Sequence, residues 1–182
     1  MPESTADQVE AVCSDDDYYY FVHGAALGDG ESFLKVDPER GGGDFGKGFY
    51  TFKLCGDDHA LALTKAREHA SNKCKTPRSP EGQSSSRHRS TKRPFLILLK
   101  MTKSKYGYLS RFDCPPRSEY ELELYSAHYR FGETDRQLLI GKVLMNDGRK
   151  FIPKIPRQYK FEGADAVKDL EVIDRKAIDN GQ

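Results

Sequence analysis

Gly41-Gly-Gly-Asp-Phe-Gly-Lys-Gly-Phe-Tyr50 is the stretch where residue type and spacing point most directly to chemistry. Gly41, Gly46 and Lys47 match the opening of a P-loop, G-x-x-x-x-G-K, whose next residue is a Ser or Thr that holds Mg²⁺ beside the phosphates. Here the next residue is Gly48, which has no hydroxyl. A P-loop also follows an apolar strand, whereas Phe33-Leu-Lys-Val-Asp-Pro-Glu-Arg40 turns polar and contains Pro38. The P-loop reading fails on both counts. What stands is a glycine-rich loop in which Gly46 and Gly48 let backbone pass close to a ligand. It runs into Phe49-Tyr50, the start of the strand-like run Phe49-Tyr-Thr-Phe52. Lys47 either faces an anion or is a solvated loop lysine.

Other reactive side chains are scattered more thinly. His23-Gly24 follows Tyr18-Tyr-Tyr-Phe-Val22, an aromatic and β-branched run that predicts a strand delivering the histidine at its end. The four cysteines, Cys13, Cys55, Cys74 and Cys114, contain no C-x-x-C pair, which argues against a zinc site or a disulfide framework. No metal is expected. Glu119, Glu121 and Glu123 fall on the polar side of an amphipathic pattern in which Leu122, Tyr125 and Tyr129 lie at helical spacing. Such a charge run reads as a solvated face.

These groups must be positioned by one domain, since 182 residues suffice for a single sizeable core. Net charge is +1, so no global field recruits nucleic acid or membrane. No apolar run reaches the length of a membrane span and the first residues do not resemble a signal peptide, so a soluble cytoplasmic or nuclear protein is expected. Residues 1–17 read as a flexible lead-in, 18–175 as the domain and 176–182 as a tail. A helix is expected from Asp57, as N-cap, to Ala70. Residues 71–93 then read as a disordered basic insert. Phe95-Leu-Ile-Leu-Leu-Lys-Met101 reads as a buried central strand. Further elements are a helix over 118–130, one bulged or two short strands over 138–145, a short strand at Tyr159-Lys-Phe161 and a helical turn or two over 165–173. Strands dominate without βαβ alternation, which predicts an α+β class.

In this order the residues resemble the ADP-ribosyltransferase fold, in its His-Tyr-Glu branch, which includes diphtheria toxin and the poly(ADP-ribose) polymerases. More closely, the chain resembles a small family of that fold, through Val22-His-Gly24, Asp44-Phe-Gly-Lys-Gly-Phe-Tyr50, the Ala60–Ala70 helix, Leu139-Ile-Gly141 with Asn146-Asp147, and Gln158-Tyr-Lys-Phe161 with Ala164 to Ile173. The likeness spans about residues 18 to 175, and the seven-residue block is its specific part. It implies a split β-sandwich with peripheral helices and NAD as co-substrate, bent so that nicotinamide enters the cleft between the two halves of the sheet. His23 would bond the adenosine-side ribose, Gly24 the nicotinamide amide through its backbone, and Tyr50 would stack on nicotinamide. Asp44, Phe45, Gly46, Lys47 and Gly48 would line the cofactor side.

At the third signature position the resemblance places Gln158 where potent members carry Glu. A glutamine keeps a hydrogen bond to the nicotinamide ribose but supplies no charge to an oxocarbenium-like transition state. Gln137 is a weaker alternative, and Glu119, Glu121 and Glu123 sit on an expected helix where the signature glutamate belongs on a strand. The second stacking tyrosine of polymerase-type members is replaced by Ala60-Leu-Ala-Leu63. The resemblance therefore implies mono-ADP-ribosyl transfer to an acceptor, expected to be protein, or NAD hydrolysis. The alternative is a binding module for NAD or ADP-ribose. A nucleic-acid role through the basic insert is the weaker reading, because the insert has no aromatic residue to stack on bases.

Overall fold

A ten-residue strand, β1 (Tyr18–Leu27), carries both His23 and Gly24 in its interior. The aromatic run therefore does not end at the histidine, because pairing with the apolar strand β5 (Arg93–Thr102) holds it extended from Tyr18↔Thr102 to Leu27↔Arg93. The computed structural model describes residues 15–28, 30–32, 36–39, 42–43, 46–54, 58–75, 92–113, 136–141 and 156–178. The remaining strands are β2 (Gly42–Gly43), β3 (Gly46–Lys47), β4 (Phe49–Leu54), β6 (Arg111–Asp113), β7 (Leu138–Gly141), β8 (Gln158–Phe161) and β9 (Glu171–Ala177). The helices among the described residues are α1 (His59–Lys75), α2 (Lys103–Tyr108) and α3 (Ala164–Val167). Among the described residues seven strands form one mixed sheet in the order β6-β7-β8-β4-β1-β5-β9, in which β6 and β7 are the parallel pair. The chain is of the α+β class.

Strand alternation divides the core in two. Tyr20 and Val22 of β1, Leu54 of β4, and Leu96 and Leu98 of β5 pack under Ala62, Leu63 and Ala66 of α1. On the other face Phe21, Ala25, Phe49, Ile97, Leu99, Met101 and Phe161 pack with Tyr106 of α2, Ala166 and Val167 of α3, and Leu170. The run Leu96-Ile-Leu-Leu99 is buried on both sides, as its continuous apolar character predicts.

Small residues let α1 approach unusually close. A Cβ on Gly24 would lie 2.0 Å from the Ala66 carbonyl oxygen and 3.0 Å from the Ala70 nitrogen. Gly24 is thus required by the helix packed on it.

The ladder between β1 and β4 covers only Tyr20↔Leu54, Phe21↔Lys53 and Val22↔Phe52. Beyond Val22, β1 stays paired with β5, while β4 from Phe52 to Phe49 pairs with β8 from Gln158 to Phe161. The sheet therefore parts at His23 and Thr51. The glycine block forms the two-residue pairs of a separate ribbon, Gly42↔Lys47 and Gly43↔Gly46, just ahead of β4.

Several expected boundaries move. Helix α1 runs to Lys75 and β5 begins at Arg93, so residues 71–75 and 93 belong to regular structure and not to an insert. The expected helical stretch over 165–173 is a single turn, α3, followed by strand β9, whose pairing with β5 claims Glu171 onward and carries the domain to Ala177. Residues 1–14, Asp57, 76–91, the expected helix at 118–130, the strand at 143–145, Asn146 and Asp147 lie outside the described residues.

Candidate functional site

The side chain of His23 bridges the point where β1 and β4 part. His23 Nδ1 lies 2.7 Å from the Tyr50 carbonyl oxygen, which can only accept, so Nδ1 carries the proton and donates. Nε2 then holds the lone pair. The His23 ring packs 4.5 Å from the Phe49 ring, on the face shared by Phe21 and Ala25. Burial lowers the His23 pKa to about 3; the nearby positive charge of Lys73 acts in the same direction, the bond to Tyr50 opposes it, and His69 adds to the lowering. His23 is a neutral hydrogen-bonding group at physiological pH.

Tyr50 and Gln158 occupy the opposite face. Phe52 and Leu54 of β4 belong to the side covered by α1, and Tyr50 follows by alternation. Gln158 pairs with Phe52 and with Gly141, and Lys160 pairs with Tyr50, so both β8 residues share that face. Gln158 is buried at 6% exposure, whereas Tyr50 is half-buried. The structure thus brings Tyr50, Gln158 and Lys160 onto one surface of β4 and β8. His23 reaches them from the other face, through the Tyr50 backbone.

The glycines serve packing first. Gly48 has φ +154° and a Cβ there would meet the Lys160 stem at 2.6 Å and 2.7 Å and the Phe161 carbonyl oxygen at 2.9 Å. The room it leaves is filled by Lys160. The Gly24 carbonyl oxygen accepts from Lys73 Nζ at 3.4 Å. Lys47 is exposed and pairs with Glu39 at 3.0 Å, as a surface ion pair. Gly46 stands in the ribbon opposite Gly43, and Asp44 and Phe45 lie outside the described residues. Gln137 is remote from this surface in role: its Oε1 accepts from the Ser110 N–H, tying β6 to β7. Glu119, Glu121 and Glu123 lie outside the described residues.

Lys160 is one residue that pattern reading missed. Its side chain is 2% exposed, and its ammonium binds Glu162 Oε2 at 2.6 Å. A buried charge needs such a partner. The signal was present in Lys160-Phe-Glu162, since alternate residues of a strand end share a face, but a lysine in a short strand reads first as an edge residue. His69 and Lys73 were also missed. They stand one turn apart on α1, beside the Ala62, Ala66 and Ala70 stripe.

Among the described residues no group of three His, Cys, Asp or Glu side chains is placed to hold a metal, and no helix is long and apolar enough to cross a membrane. Comparison of the chain with family models, with curated proteins and with solved structures finds no match.

Proposed function

We propose that the chain has the ADP-ribosyltransferase fold and binds NAD at the parting of β1 and β4, cleaving its nicotinamide–ribose bond to transfer one ADP-ribose unit to an acceptor or to water. The observation that carries this reading is the sheet that divides at His23, with the histidine bonded to the backbone of Tyr50 and Gln158 on the next strand.

In this reading a neutral His23 presents Nε2 as an acceptor for a ribose hydroxyl. The Tyr50 ring supplies flat apolar area for nicotinamide and keeps water from the breaking bond. Gln158 bonds the nicotinamide-ribose 2′-hydroxyl. The bond electrons leave with nicotinamide, the ribosyl carbon gains positive charge, and the acceptor oxygen or nitrogen attacks it and gives up its proton. Gln158 contributes orientation but no negative charge, so turnover is slower than with a carboxylate there. The test is incubation of purified protein with NAD and chromatographic measurement of free nicotinamide. Release that disappears in Tyr50→Ala supports the proposal, and absence of release from folded wild-type protein refutes the enzymatic part of it.

The neutrality and burial of Gln158 favour a second reading, an NAD or ADP-ribose binding module without turnover. NAD binding without nicotinamide release would select it.

A further inference from the structure

Three basic side chains, His69, Lys73 and Lys92, lie where β1, the last turns of α1 and the start of β5 meet. Lys73 Nζ donates to the carbonyl of Gly24, the residue after His23. His69 lies one turn before Lys73 on α1, whose position is fixed by the close contact of Ala66 and Ala70 with Gly24. Lys92 immediately precedes Arg93, which pairs with Leu27 near the end of β1. Partial burial and then the charge of Lys92 lower the Lys73 pKa, and burial and then Lys73 lower that of His69 to about 4. Among the described residues no carboxylate stands in ion-pair distance of Lys73 or Lys92, and Glu68, next to His69 in sequence, is held by Lys65.

Like charges brought together repel, and the cost falls when a multiply charged anion enters between them. Lysines bind phosphoryl oxygens as point charges, and histidine N–H groups add directional bonds. We infer that His69, Lys73 and Lys92 form a pyrophosphate-binding site at the Gly24 end of the parted strands. The pyrophosphate arrives either as part of NAD or as a free phosphoryl anion, and only the first source rests on the function proposed above. Lys47, the anion-facing candidate of the sequence, is engaged by Glu39 instead.

The experiment is calorimetric titration of the full chain with inorganic pyrophosphate and, separately, with NAD. It compares wild type, Lys73→Gln, Lys92→Gln and the control Lys168→Gln, which removes an exposed charge from the end of α3. Lys73 and Lys92 lie outside both clusters of the apolar core, so both variants keep the fold, which circular dichroism verifies. Loss of one charge-assisted contact should weaken pyrophosphate binding by about tenfold or more, and Lys168→Gln should leave it unchanged. Equal weakening for NAD assigns the site to the dinucleotide. Pyrophosphate binding lost in Lys73→Gln, with no NAD binding by wild type, keeps the site and removes the NAD reading. Wild-type protein that binds no pyrophosphate, or variants that bind it as wild type does, overturns the inference whatever NAD does.

Discussion

Replacing Gly24 by Ala tests the packing on which the site depends. The new Cβ would lie 2.0 Å from the Ala66 carbonyl oxygen, and ordinary contact begins at 3.4 Å, so α1 must retreat by 3.4 − 2.0 = 1.4 Å. No rotamer relieves the clash, because the opposing atoms are backbone. The retreat also loosens Ala62, Leu63 and Ala66 over β1 and β5. Overpacking of this kind costs about 3 kcal/mol. Restricting the unfolded chain returns about 0.4–1 kcal/mol. The net loss of about 2–3 kcal/mol lowers Tm by about 5–10 °C for a chain of this size. Gly107→Ala is the matched comparison, because its Cβ enters open space within α2. There the helix gains up to about 1 kcal/mol. Calorimetric or circular-dichroism melts of both variants decide the matter. A Gly24→Ala melt within about 2 °C of wild type would refute the close approach of α1 to β1.

Other outcomes follow from the same geometry. The folded-state pKa of His23, about 3, lies below its unfolded value of 6.5, so its contribution is complete above pH 6.5 and declines as pH falls. The slope reaches about 1.4 kcal/mol per pH unit, and denaturant titrations should show it reduced in His23→Gln, with an unchanged slope counting against a buried neutral histidine. Glu162→Gln takes the carboxylate from the buried Lys160 ammonium and should cost about 2–3 kcal/mol, more than Lys160→Met, which removes the charge itself; the reverse order in urea melts would contradict the pairing. In the proposed NAD site Gln158→Glu would set an anion beside the ribose and should raise nicotinamide release by at least about tenfold. An unchanged rate in a folded variant would exclude Gln158 from contact with the reacting sugar.

Strand existence was readable where composition was decisive. Tyr18–Val22 and Phe95–Met101 are β-rich runs and both belong to interior strands of the sheet. Their extents were not readable, because pairing carries β1 through His23 and Gly24 to Leu27, and no local signal marks a ladder that continues on one side only. Helix α1 passed into a Ser/Lys segment for a similar reason: Ala70 is buried against β1, and the turn beyond it needs no apolar residue of its own. β9 was mistaken for helix because Glu171-Val-Ile-Asp174 is short and mixed, and its state is set by the exposed edge of β5. Residue types offered His23, Tyr50 and Gln158 as candidates, but not their faces. Alternation places Tyr50 with Gln158 and separates both from His23, which only the pairing registers of β1, β4 and β8 reveal. The glycines were read as openings for a ligand; the structure adds that Gly24 and Gly48 admit α1 and Lys160.

The most direct test of the proposed NAD cleft is calorimetric titration of wild-type and Tyr50→Ala protein with NAD at low salt. Wild-type protein should bind with a Kd between about 1 μM and 1 mM, the common range for enzyme substrates. Loss of the stacked ring should weaken it by about tenfold or more. Wild-type protein that binds no NAD at millimolar concentration, or a folded Tyr50→Ala that binds it equally well, would contradict the account.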